Sequence, residues 1–149
     1  MFYYLPQCCR SHADVADIPK SKEMHFEATV TLVSVYDGDT IWVSWYDKNF
    51  GRVVKVSCRL LGYDAPEMKP PRNAPNRTVI IENAKKAKDV ALGHFPKGRF
   101  KVQILGTDKY GRWLLKDEVL KQKLLGLGLA YEYGGGTKRA AYGNAPNFA

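Results

Sequence analysis

The sequence predicts a mainly β domain with helices (α+β), built as a five-stranded β-barrel with one helix after strand 3 and a second helix after strand 5. Two observations carry this prediction. Segments rich in β-branched residues are separated by turn signals, and two other stretches place apolar residues at helical spacing. The chain has 149 residues, which is enough for one domain with its own core and short for two.

Three strands are predicted in the first half of the chain, at 26–36, 41–46 and 53–61. The first two flank the tetrapeptide DGDT, where Asp37-Gly38 predicts a tight hairpin because glycine readily takes the positive φ that such turns need. The third strand alternates between apolar and polar residues. Its pattern predicts that Arg59 leaves the polar face of a half-buried strand.

The second half of the chain predicts two helices and two strands. A helix is expected over 77–95, strands over 100–105 and 112–116, and a shorter helix over 118–127. The predicted inward face of the first helix is Ile80, Ala84, Ala87, Ala91 and Phe95. That of the second is Leu120, Leu124 and Leu127.

This order of elements is that of an OB-fold, a barrel that often binds nucleic acids. The predicted domain covers 26–133, between an N-terminal extension at 1–25 and a flexible Gly-rich tail at 134–149. No apolar run approaches the length of a membrane span, and nothing in the sequence demands more than a monomer. The opening residues lack a basic signal-peptide region, which slightly favours an intracellular location and leaves secretion open.

The charge of the chain predicts an anionic partner. A net charge of +8 favours nucleic acid first and an anionic membrane surface second, while a merely soluble basic protein stays open. Three cysteines do not make a disulfide framework, and the histidines are scattered singly, without zinc-site spacing.

Acids and arginines gather beside three turns: DGDT at 37–40, RLLGYDAPE at 59–67 and DKYGR at 108–112. Each stretch alone can be an ordinary turn. Together they combine hard oxygen donors that suit Ca²⁺ or Mg²⁺ with arginines whose planar fork suits a phosphoryl group. Glu67, which follows the stiffening Pro66, is the expected general base. The combination predicts phosphoryl-transfer chemistry.

In this order, DGDT, RLLGYDAPE and TDKYGR resemble the staphylococcal nuclease (thermonuclease) family, over about 26–133. The resemblance implies an OB-fold enzyme that depends on Ca²⁺, with Mg²⁺ or Mn²⁺ as alternatives, and hydrolyses DNA and RNA to products with 3′-phosphate ends. The implied catalytic residues are Arg59, Glu67 and Arg112. The implied metal ligands are Asp39, Asp64 and the backbone carbonyl of Ala65. The implied nucleotide contacts are Lys109, Tyr110, Tyr131 and Tyr133.

Two departures from the family pattern stand out. Ala65 occupies a position where threonine is common, so slower turnover or lower metal affinity is expected. The family's third helix has no counterpart in the Gly-rich segment 134–149. A second interpretation is a nucleic-acid-binding module of the same fold that does not cleave, although such modules usually lack one of the arginines or acids. A third is a scaffold protein whose positive charge serves an acidic partner.

Overall fold

The computed structural model describes residues 25–134. The strands are β1 (Phe26–Asp37), β2 (Thr40–Asp47), β3 (Arg52–Leu60), β4 (Tyr63–Asp64), β5 (Arg99–Thr107), β6 (Trp113–Leu115) and β7 (Tyr131–Glu132). The helices are α1 (Arg77–His94) and α2 (Glu118–Gly126). These bounds agree closely with the predicted elements, except that the sequence did not reveal β4 and β7.

Five of the strands close into a barrel in the order β1-β2-β3-β6-β5, and β5 returns to pair with β1. All neighbours are antiparallel except β3 and β6, which run parallel. The predicted OB-fold-like α+β architecture is therefore confirmed. β4 and β7 form a separate two-stranded sheet that pairs Asp64 with Tyr131.

The predicted inward faces are largely correct. In β3, Cys58 and Leu60 are buried while Lys55 is exposed, as the alternation requires. The buried residues of α1 are those predicted from helical spacing, and its C-cap, Phe95, is buried as well. Leu127 was predicted wrongly. It is the C-cap of α2 and is 55% exposed. The helix ends at Gly126, so Leu127 does not continue its inward face.

The ends of the two helices are joined by a side-chain contact. Asp117 is the N-cap of α2, and its Oδ1 accepts a hydrogen bond of 2.9 Å from the backbone N–H of Leu120. Its other oxygen lies 2.7 Å from Nε2 of His94, in the last turn of α1. The pair fixes α2 against the end of α1.

The predicted extension at 1–25 and tail at 134–149 lie outside the described residues, apart from His25 and Gly134. Cys8 and Cys9 belong to the same undescribed part. Within 25–134, neither helix has the length and apolar character needed to cross a membrane.

Candidate functional site

A cavity of about 260 Å³ lies where the β1–β2 turn meets the end of β3. Its lining includes Asp37, Asp39, Thr40, Arg59, Glu67 and Arg112. The three motifs that the sequence singled out therefore meet at one place, although they lie far apart along the chain. The three predicted catalytic residues and one of the predicted metal carboxylates are all on this wall.

The β1–β2 turn is held against the rest of the protein by close packing at Gly38. A Cβ atom on Gly38 would lie 2.7 Å from Cβ of Ala65 and 2.9 Å from Cβ of Ala87, well inside normal carbon–carbon contact. The Gly38 carbonyl accepts a hydrogen bond of 2.8 Å from the Tyr63 hydroxyl. The hairpin was predicted correctly but for the wrong reason. Gly38 is not among the positive-φ residues, so the turn needs glycine for space and not for φ.

Gly38→Ala is therefore expected to destabilise the protein by about 1–3 kcal/mol, because the added methyl group overpacks a tight contact. Chemical denaturation of both proteins measures this difference. Gly93→Ala is the matched control, since its Cβ would meet nothing within 4 Å and alanine is favoured inside a helix. Equal stability of the two variants would show that the turn relaxes and that the packing at Gly38 is not restrictive.

Arg59 occupies the centre of the site, where it bridges two carboxylates. Its Nη1 forms an ion pair with Asp39, and its Nη2 forms one with Asp64 and a hydrogen bond of 3.3 Å to the Tyr63 carbonyl. The side chain is 12% exposed and reaches the cavity wall. These contacts use three of the five guanidinium N–H groups, so two remain for a ligand in the cavity.

Asp64 is fully buried and does not line the cavity. One of its oxygens is taken by Arg59, and the other accepts a hydrogen bond of 3.1 Å from the Tyr131 hydroxyl. The pairing of β4 with β7 places Tyr131 there. Tyr131, predicted to lie near a nucleotide, thus contacts a predicted metal ligand.

Asp39 is held by its neighbours in the turn and in the chain that follows β4. Its Oδ2 accepts a hydrogen bond of 2.8 Å from the backbone N–H of Ala65, and its Oδ1 accepts one of 3.0 Å from the Thr40 hydroxyl. Asp39 is 2% exposed. Ala65 therefore contacts the site through its N–H group, while the predicted role of its carbonyl stays a prediction.

Three buried carboxylates lie in the region of Arg59, which is itself partly exposed. Asp37, Asp39 and Asp64 are the carboxylates that are buried within residues 25–134, and Arg59 forms ion pairs with two of them. Burial, and next the negative charge of Asp39, raise the pKa of the Asp37 carboxyl to about 7. A proton on Asp37 can therefore offset part of the buried negative charge that Arg59 does not balance.

The donor chemistry fits a hard divalent cation on the cavity side of this cluster. Asp37 and Asp39 line the cavity, and carboxylate oxygens are the ligands that Ca²⁺ and Mg²⁺ prefer. The fit is incomplete, because the oxygens of Asp64 are occupied by Arg59 and Tyr131. Those of Asp39 are engaged by Arg59, by the Thr40 hydroxyl and by the backbone N–H of Ala65. Among the described residues, no three His, Cys, Asp or Glu side chains form a ready-made metal cluster.

Arg112, which also lines the cavity, is oriented by Asp108. Its Nε donates a hydrogen bond of 2.7 Å to Asp108 Oδ2, while Asp108 Oδ1 accepts from the backbone N–H groups of Tyr110 and Arg112. Burial alone would raise the pKa of Asp108, but these bonds and the Arg112 charge outweigh it and hold the pKa below its usual value. Asp108 therefore stays ionised and fixes the arginine beside the cavity.

The remaining predicted residues lie around the site and not in its wall. Tyr110 is 72% exposed, with Lys109 Nζ 5.0 Å and Arg112 Cζ 5.7 Å from its ring centroid. Tyr133 lines a second cavity of about 380 Å³, and Arg59 forms part of that wall as well. Arg59 thus separates the two cavities.

Sequence reasoning missed several residues of the site. Asp37 lies within the DGDT motif and Asp108 within DKYGR, so both were visible as acids but were read as turn residues. Tyr36, Met68 and Lys69 complete the cavity wall. The sequence feature that could have indicated these three residues is their position directly beside the motifs DGDT and RLLGYDAPE.

No protein-family model matches this sequence, and no curated protein is detectably similar to it. The likeness to the staphylococcal nuclease family therefore rests on the three motifs, and what it implies about function is a proposal.

Proposed function

We propose that this protein is a metal-dependent nuclease that hydrolyses phosphodiester bonds of DNA and RNA with Ca²⁺ as cofactor, leaving 3′-phosphate ends. The observation that supports this most is the cavity lined by two arginines, a partly exposed glutamate and the two buried carboxylates Asp37 and Asp39. This combination suits a phosphodiester, whose charge grows as the phosphorus becomes five-coordinate.

The two arginines bind and stabilise the reacting phosphate. The Arg59 N–H groups not used by Asp39, Asp64 and Tyr63 donate to its oxygens. Arg112, which also lines the cavity and is held by Asp108, donates to them as well. The hydrogen bonds that the arginines donate become stronger as negative charge develops on the phosphate oxygens, which lowers the barrier to cleavage.

Glu67 acts as the general base. It takes a proton from a water molecule, whose oxygen bonds to phosphorus as the bond from phosphorus to the 5′ oxygen breaks. The leaving oxygen takes up a proton from solvent, and the phosphate stays on the 3′ oxygen. A bound Ca²⁺ would supply charge neutralisation of the phosphate, and Asp37 and Asp39 are the residues that would hold it.

One observation favours a second function, a nucleic-acid-binding module that does not cleave. Arg59 and Tyr131 already satisfy both oxygens of Asp64, and every buried side-chain polar atom within the described range has a partner. A site that is complete without a metal would bind an anionic strand without activating water.

Cleavage of labelled single-stranded DNA with Ca²⁺, and again with a chelator, distinguishes these functions. We expect cleavage that requires the metal, and we expect Ca²⁺ to raise the melting temperature because it binds the folded site alone. Asp39→Asn should remove this thermal shift, whereas Asp89→Asn, on the exposed side of α1, should keep it. Binding without cleavage under any divalent ion would establish the binding module instead.

A further inference from the structure

The outer face of the β2–β3 hairpin leads away from the candidate site. Directly paired residues of an antiparallel ladder lie on the same face. The pairs on this face are Thr40 with Arg59, Trp42 with Ser57, Ser44 with Lys55, and Tyr46 with Val53. The first pair lines the catalytic cavity, and the last lies six residues further along β3, about 20 Å away at the rise of a strand. One continuous face therefore connects the cavity with the hairpin tip.

Aromatic and basic side chains are combined along this face. Lys55 Nζ lies 4.7 Å from the ring centroid of Trp42 on this face. At the hairpin tip, Arg52, which pairs with Asp47 on the opposite face, has its Cζ 5.8 Å from the ring centroid of Phe50. Tyr46 and Phe50 are 52% and 72% exposed. Core packing does not explain these rings, because the inner face of β2 supplies the core.

The charge of the face is positive. The outer pairs from the cavity to the tip contain no acidic residue in the described structure, and the tip adds Lys48 and Arg52. The nearby acid is Asp47, whose Oδ1 accepts hydrogen bonds from the backbone N–H groups of Asn49 and Phe50 at 2.8 and 3.4 Å. This carboxylate closes the turn, so it is engaged within the hairpin itself.

A groove of about 430 Å³ runs beside the outer end of this face. Its walls include Thr31, Ser44, Tyr46, Val53 and Arg99. Hydroxyl groups and a guanidinium suit the oxygens of a sugar–phosphate backbone, and the tyrosine and valine offer an apolar surface to a base.

We propose that this face, the hairpin track (Trp42, Ser44, Tyr46 and Lys55, with Phe50 in the turn at its tip), binds a single-stranded nucleic-acid segment that extends from the cavity. Exposed rings stack on unpaired bases, and the cations beside them contact phosphates. A duplex keeps its base faces covered by stacking, so it cannot use the rings. The inference rests on the proposed function, because the strand enters the track from the phosphate at Arg59.

The test compares a long and a short substrate in a double variant of the track, Tyr46→Ala with Lys55→Gln. Both side chains are exposed, and circular dichroism verifies that the variant folds. Substrates are a labelled trinucleotide and a single-stranded DNA of about twelve nucleotides, within the span that an OB-fold covers. We expect the ratio of kcat/KM for the long strand to that for the trinucleotide to fall about tenfold, from the lost stacking and charge. Lys123→Gln, an exposed lysine on α2, should leave this ratio unchanged.

Binding measured in a Glu67→Gln background separates failure of the track from failure of the nuclease. In fluorescence anisotropy the double variant should bind the long strand about tenfold more loosely, with a salt slope reduced by about 0.7 for the lost lysine contact. If the wild type cleaves and the double variant keeps the same preference for the long strand, the proposed role of the track is wrong and the proposed nuclease function is supported. If the wild type cleaves nothing but binds the strand more tightly than the double variant does, the proposed nuclease function is wrong and the proposed role of the track is supported. If the double variant loses binding to anionic phosphatidylserine vesicles but binds DNA as the wild type does, the face is a membrane-docking surface and the proposed strand-binding track is wrong. The proposal is also wrong if the wild type binds no single strand.

Discussion

Glu67→Gln is expected to lower the cleavage rate by about 10²- to 10⁴-fold, because the amide cannot accept the proton of the attacking water. Glu67 lines the same cavity as Arg59 and Arg112, where both would hold a phosphate. Glutamine has nearly the same shape, so affinity for DNA should stay within a few-fold of wild type. Single-turnover cleavage and anisotropy titrations measure the two quantities separately.

Glu82→Gln is the matched control for this experiment. Glu82 lies on the exposed side of α1, so the same change of charge there should leave cleavage and binding as they are. Unchanged turnover in Glu67→Gln would rule out Glu67 as the base. Equal losses of cleavage and binding would instead show that the residue shapes the cavity.

Arg112→Ala is expected to raise the barrier to cleavage by about 3–5 kcal/mol, since it removes a donor that stabilises charge in the transition state. Little loss of folding stability should accompany it. The side chain is 32% exposed, and Asp108 keeps its hydrogen bonds from the backbone of the β5–β6 turn. Its ion pair with Asp108 should contribute at most about 1 kcal/mol, as is usual for pairs near solvent.

Comparison of kcat/KM with denaturation midpoints tests this expectation, with Arg112→Lys and Arg77→Ala measured in parallel. Lysine keeps the charge but loses the planar fork, so it should recover a small part of the activity. Arg77 is an exposed residue in the first turn of α1, and removing its charge should have little effect. If kcat/KM falls less than tenfold in Arg112→Ala, the residue stabilises the β5–β6 turn and does not contribute to the reaction.

Much of the fold could be predicted because its main elements repeat a simple period. Four buried residues of α1 recur at helical spacing, and the sequence of β3 alternates between apolar and polar residues from Val54 to Leu60. The two-residue strands β4 and β7 could not be predicted, because two residues contain no period. Leu127 was misplaced since the end of a helix depends on its capping contacts more than on its apolar pattern.

The sequence indicated some of the residues that meet at the site, such as Arg59, Glu67 and Arg112, but not how the charged groups would pair. Arg59 at the polar side of β3 and the acids of the three motifs all reach the same region, as their placement beside turns suggested. That one guanidinium would bridge Asp39 and Asp64 depends on the close approach of two turns, which requires glycine at 38. Such a distance is a property of the tertiary structure, so no local pattern records it.

The contact between Asp64 and Tyr131 also has a consequence for the newly made chain. The two residues are 67 positions apart. After Asp64 has been added to the growing chain, the ribosome must therefore synthesise α1, β5, β6 and α2 before it adds Tyr131. At about 5–20 residues per second this takes several seconds. The barrel's first hairpin can form during that interval, but the buried carboxylate stays without its hydroxyl partner. The site is therefore completed only after nearly all of the described residues, 25–134, have been synthesised.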